Sequence, residues 1–260
     1  MIAAALLTDF SLDAPLENAT LPVKLNQVTL NCAAFLPTRS LTLRQAYAFA
    51  CPAPFAGLVK DLGFSTVQSA FDTFRLNQPP TLTGFVVQPE GPLEPTPTTI
   101  RLQPQSLLEI ALGQGKLTVT PLEMAVIAAA IVNDGNAPQP YALQATRPPN
   151  TTDWQAAETA YPTIPLTTAN TARQLQDMMR FAVAQGAAQN AARPNRDIGG
   201  HASVAYSGSE SQAWFVGFVT SGSRRGVAIA VVLENSNDPG LAADIGGRVL
   251  EVAYEQLQPR

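Results

Sequence analysis

Three β-rich apolar runs, at 202–206, 213–220 and 227–233, are separated only by short Ser/Gly-rich turns. Strands joined by so little chain can pair only with their sequence neighbours and only antiparallel, because a parallel return needs a crossover of a dozen residues or more. The runs therefore predict a meander, and the apolar periodicity of 241–257 predicts a helix that closes it. Everything upstream reads mainly as helix and loop. Helices first and strands last argue for an α+β fold and against a doubly wound parallel sheet.

The upstream half carries clear helix punctuation. Residues 2–7 are apolar and Ala-rich with no N-cap before them, so the chain reads as opening inside a helix. Residues 11–37 read as loops with one or two short strands. Thr42 caps a helix bearing Leu43, Ala46, Tyr47 and Ala50, and a second stretch, 55–62, ends at Gly63. Pro52 and Pro54 fall between the two and predict a kink or break there, since each lacks a helical donor. Short helices follow at 66–74 and 106–112, flanking a proline-rich surface loop at 78–104. Thr120-Pro121 opens the helix 122–132, which stops at Asp134-Gly135. The excursion 136–165 is expected to be packed down by Trp154 and Tyr161. Thr168 or Asn170 then caps an amphipathic helix with Leu175, Met178, Met179 and Ala182 on one face, ending near Gly186.

Composition excludes several functions. With 16 basic against 20 acidic residues and a formal net charge of −4, the 260-residue chain has no surplus to neutralise phosphates. No nucleic-acid role is expected. The only histidine is His201 and the only cysteines are Cys32 and Cys51, so no metal site is expected. The two cysteines read first as small core residues, with a disulfide as the alternative. The longest purely apolar run, 124–132, falls far short of the ~20 residues that span a bilayer, and residues 1–7 lack the basic start of a signal peptide. Gly113-Gln114-Gly115-Lys116 is not a phosphate loop, because Ile110 stands where the pattern needs glycine and Leu117 where it needs Ser or Thr.

Four segments, in order, carry a resemblance. Residues 111–125, reading ALGQGKLTVTPLEMA and leading to Asn133-Asp134-Gly135, resemble a cleft-wall segment of the penicillin-binding protein transpeptidases. Residues 41–46 with Ala50-Cys51 and 55–64 resemble the helical region around that family's Ser-x-Asn motif. Residues 168–179 with 183–187 resemble the helix and turn ahead of its Lys-Thr-Gly strand, and 212–218 with 229–235 resemble the two strands that follow. The resemblance spans nearly the whole chain. It implies a single domain over 1–260 of the β-lactamase/transpeptidase-like α+β fold: a helical region, a C-terminal antiparallel meander and a closing helix.

The same resemblance implies lost chemistry. Acyl transfer in the family uses a nucleophilic Ser with a Lys one helical turn later, a Ser-x-Asn and a Lys-Thr-Gly strand. The first motif is not found; the resemblance puts it just ahead of 2–6. The second falls on Ala50, Cys51 and Pro52, which replace a hydroxyl by a methyl and an amide by a ring without a donor. The third falls on Gly200, His201, Ala202 and Ser203, where the ammonium that holds a carboxylate is missing. These seven residues are expected to form a vestigial cleft, with no catalytic residue and no cofactor. No replacement is evident: there is no G-x-S-x-G elbow for a triad built on His201, expected instead as a partly exposed strand residue filling the cleft, and Cys51 has no matched base.

The implied function is a degenerate transpeptidase-like domain, a pseudoenzyme acting as scaffold or peptide-binding module. The alternative is the distal part of a D,D-transpeptidase whose nucleophile lies on an upstream segment. The implied partners are a peptidoglycan stem peptide or a divisome or elongasome protein, and the implied place is the extracytoplasmic face of a bacterial membrane. The family's sheet has five strands, of which only the last three are matched. Residues 227–233 are therefore expected to present an edge left uncovered, or covered by an unusual element or another chain.

Overall fold

Helix α1 (Ile2–Leu7) has Ile2 to Ala5 buried and no side-chain cap. Short strands follow, β1 (Pro15–Leu16), β2 (Val23–Leu25), β3 (Val28–Leu30) and β4 (Leu41–Thr42), paired β1 with β4 and β2 with β3. Helix α2 (Leu43–Ala48) starts at a capping box: the Gln45 N–H donates to Thr42 Oγ1 and the Thr42 N–H to Gln45 Oε1. Helix α3 (Pro52–Thr73) joins two expected helices across a kink at Gly63, whose φ of +72° a side chain would disfavour. The expected break lies before Pro52. Both prolines sit in the first turn, where their missing donors have no intrahelical acceptor in any case. This computed structural model describes residues 1–8, 10–25, 28–76, 103, 106–114, 117–141, 143–157, 161–222 and 225–257. Apart from Gln103, the expected loop at 78–104 lies outside them.

Helix α4 (Leu107–Ala111) precedes α5 (Pro121–Val132), which opens on a second capping box, Thr120 with Glu123. The connecting excursion holds two small ladders, β5 (Asn136–Ala137) with β8 (Ile164–Pro165) and β6 (Ala145–Thr146) with β7 (Gln155–Ala156). Trp154 does not pack it down: the ring is 67% exposed, with the Arg147 guanidinium 5.5 Å above it. Too little chain surrounds these two-residue ladders to enclose an indole. Tyr161 is half-buried, 6.3 Å from Tyr141. Helix α6 (Ala169–Gln185) is capped by Thr168 and buries the expected face of Leu175, Met178, Met179 and Ala182.

The meander is β9 (Asp197–Ser207), β10 (Glu210–Ser221) and β11 (Arg225–Glu234), closed by α7 (Pro239–Leu257). Alternation along β10 sends its two fully buried phenylalanines to opposite faces. Phe218 joins Ile131, Leu175 and Met178 under α5 and α6, whereas Phe215 joins Ala242, Ala243 and Leu250 under α7. The sheet is thus a middle layer between helices. Phe215 lies so close to its surroundings that a Cβ at Gly200, Gly217 or Gly246 would enter its ring, so three glycines from three elements make the space that it fills. Among the described residues β11 pairs only with β10, and every residue from Val227 to Leu233 is partly exposed. No other described strand lies along that edge, while Val227, Ile229, Val231 and Leu233 pack against the core under α7.

Candidate functional site

The carboxy-terminal end of α2 forms one wall. Ala50 follows the helix at φ +50°, its N–H donates to Tyr47 O, and the Cys51 N–H reaches back to Ala46 O, which is the Schellman arrangement with alanine in the place glycine usually takes. The Ala187 N–H donates to Ala48 O and the Ala33 N–H to Phe49 O. The last carbonyls of α2 are therefore all engaged, two by its own turn and two by loops from either side. Gly186 allows the first approach: a Cβ there would meet the Ala48 carbonyl.

Cys51 is fully buried and joined to Cys32 in a disulfide, so the expectation of two small core residues is corrected. The loop after β3 brings Cys32 to the helix end, as the bond from Ala33 to Phe49 shows. With its sulfur committed, Cys51 has no thiolate to offer as a nucleophile. Its neighbours are Ala19, Leu41 and Ala46, and Pro52 is buried as well.

Strand β9 forms the facing wall, and its alternation divides the four residues expected there. His201 pairs with Val216 and Ser203 with Trp214, on the face shared with Phe218; Gly200 pairs with Gly217 and Ala202 with Phe215, on the α7 face. Gly200 and Ala202 are buried and contribute backbone and core, not cleft surface. The two walls meet where the His201 imidazole stacks on the Tyr47 ring, with centroids 4.4 Å apart and planes 28° off parallel. Of the seven expected residues, only Ala50, His201 and Ser203 are partly exposed, and of these His201 makes the contact between the walls.

Burial lowers the His201 pKa to about 4, so the ring is neutral near pH 7, and it raises the Tyr47 pKa well above its ordinary range. His201 Nδ1 is buried and without a hydrogen-bond partner among the described residues. A base in a triad needs an orienting partner on that nitrogen, and the described residues give it none. Two contributors lie outside the seven. Tyr47 reads in sequence only as a helix-face residue. Gln114 is buried, donates to Leu112 O and accepts the Tyr206 N–H at 3.0 Å, fixing the segment after α4 to the far end of β9. The resemblance of its Gly-Gln-Gly segment to a cleft wall is the signal that points to it.

Residues 34–251 match the penicillin binding protein transpeptidase domain. Peptidoglycan D,D-transpeptidase PbpA of Mycobacterium tuberculosis is 28% identical over 233 residues, covering 83% of this chain and 44% of its own length. Its counterpart in Mycolicibacterium smegmatis is 26% identical over 239 residues, covering 85% and 45%. The chain thus spans less than half the length of these relatives. The M. tuberculosis penicillin-binding protein A in its imipenem acyl-enzyme complex superposes with a TM-score of 0.78 at 28% identity, over 97% of this chain and 57% of that one. The D,D-transpeptidase domain of an Eggerthella lenta peptidoglycan glycosyltransferase gives 0.76 over 99% and 64%, at 23% identity, which bears on the fold alone. Sequence match and shared architecture agree, and the chain belongs to the penicillin-binding protein transpeptidase domain family.

Proposed function

We propose that this chain is a degenerate transpeptidase-like domain that binds a peptidoglycan stem peptide, or a protein of the wall-building machinery, without acylating on it. One observation carries the reading: where the resemblance calls for a cation, a neutral His201 ring is stacked against Tyr47. Ala50 offers no hydroxyl, the Cys51 sulfur is tied up, and Pro52 has no backbone donor. Proton transfer in acyl transfer requires groups of matched pKa within hydrogen-bond reach, and losing members of such a set costs orders of magnitude in rate. The relatives' role in peptidoglycan suggests work on the extracytoplasmic face of a bacterial membrane. Among the described residues no helix is long and apolar enough to cross one.

A second reading, the distal part of an active D,D-transpeptidase, is favoured by the 44% of PbpA that the chain spans. A synthetic stem peptide titrated into the ¹⁵N-labelled chain and followed by NMR distinguishes them. Shifts at His201 and Ser203 with the peptide unchanged after a day are expected. Release of its terminal residue supports the second reading, and absence of any shift removes the peptide-binding role.

A further inference from the structure

The two walls that meet at the Tyr47–His201 stack carry little charge, and what they carry is already paired. Helix α2 has one charged side chain, Arg44, whose Nε donates to Asp13 Oδ1 at 2.9 Å. Strand β9 has one, Asp197, held by Arg180 through hydrogen bonds of 2.7 and 2.8 Å and by the Thr220 hydroxyl. Asp197 lies on the His201 face of the strand but four residues away, about 13 Å along it. The loops that engage the α2 end bring no charge, since residues 30–36 and 186–192 contain no charged side chain. Burial accounts for the pKa shifts of both rings, with no neighbouring charge adding to them. Ala50 and Ser203, partly exposed on the two walls, add a methyl and a hydroxyl. An ion brought against this junction loses hydration and gains no counter-charge from either wall, whereas a neutral amide loses far less.

We propose that the junction selects a peptide whose end lying against it is uncharged, with an amidated or amide-linked carboxy-terminus in preference to a free carboxylate. The inference rests on the reading that this junction binds a peptide, and it specifies which form. A free carboxylate here finds no unpaired cation in either wall, and the Ser203 hydroxyl donates it one hydrogen bond at most. A carboxamide has nearly the same shape and no charge to desolvate. Its N–H groups and carbonyl can pair along the outer edge of β9, which among the described residues is bonded to no strand but β10.

The test is calorimetry of the whole chain with two probes that differ in one group, diacetyl-L-lysyl-D-alanyl-D-alanine and its carboxamide, with the contact mapped by shifts of the ¹⁵N-labelled chain. The carboxamide is expected to bind at least about tenfold more tightly than the acid, with shifts at His201 and Ser203, and with an affinity unchanged by salt. Ser203→Lys, which puts an ammonium on the His201 face of β9 from a partly exposed position, is expected to reverse the preference. Ser203→Gln, which adds bulk without charge, is expected to keep it. Equal affinities, or tighter binding of the acid by the unmodified chain, would overturn the proposal while leaving peptide binding in place, whether or not the variants fold. A folded Ser203→Lys chain with the parent's preference would overturn it too. Binding of neither probe would instead remove the peptide-binding reading itself, and this inference with it.

Discussion

Replacing Cys32 by serine tests how the α2 end is held. The Cys32–Cys51 bond closes a loop over a sequence separation of 19, and the chain-entropy relation for about that many residues gives a loss of about 3 kcal/mol on opening it. The native contacts of the loop do not depend on the sulfur alone. Ala33 still donates to Phe49 O at 2.9 Å, Ala19 to Arg39 O at 2.8 Å, and the Thr20 hydroxyl to Thr38 O at 3.1 Å. The loss should therefore arise mainly in the unfolded ensemble, with the folded cleft unchanged. For a domain of this size about 3 kcal/mol corresponds to a fall in Tm of about 6–12 °C. Cys32→Ser and the unmodified chain would be compared by calorimetry under non-reducing conditions, with thiol counting by mass to establish the bond in the latter. Melting temperatures within a degree of each other, with the bond intact in the unmodified chain, would refute the loop-closure reasoning.

Three further outcomes follow from particular residues. Ala50→Gly relieves about 1–2 kcal/mol of left-handed strain and loses part of this to unfolded-state entropy and a lost methyl contact, leaving a gain of about 0.5 kcal/mol, whereas Ala50→Val should be less stable than the parent; urea unfolding of the three chains checks the order. Gly200→Ala pushes a methyl into the Phe215 ring and should cost about 2 kcal/mol, while Gly57→Ala, with open space around its Cβ, should cost nothing in the same assay. His201 is held neutral, its folded pKa of about 4 below the unfolded 6.5, so the unfolded chain binds the extra proton between those values. Its contribution is complete above pH 6.5 and is lost as pH falls toward 4, by about 3 kcal/mol in all. His201→Phe should flatten that part of the stability profile. Asp197, held below the usual carboxylate range chiefly by its hydrogen bond to Arg180, acts only below about pH 3.8.

Local chemistry made much of the fold legible. Thr42, Thr120 and Thr168 each precede a helical pattern and each caps a helix, because capping is settled within four residues. The meander was legible for the same reason: its turns are too short for any other pairing. The site was less so. The Cys32–Cys51 bond depends on a loop brought back to the α2 end, which spacing alone does not reveal. Ala50 sits where glycine would have signalled a left-handed residue, so the Schellman turn left no mark in the sequence. The division of β9 was there to be read, since His201 and Ser203 share one parity and Gly200 and Ala202 the other. The bond from Tyr206 to Gln114 joins residues 92 positions apart, beyond the range of any local pattern.

The central proposal is that this transpeptidase-family domain does not acylate. Incubation of the purified, cooperatively melting chain with a reporter-labelled penicillin, followed by intact mass and with an active transpeptidase alongside, tests it most directly. The account predicts an unmodified mass while the control is fully labelled. A stoichiometric adduct on this chain, mapped to Ser203 or any other serine, would contradict it.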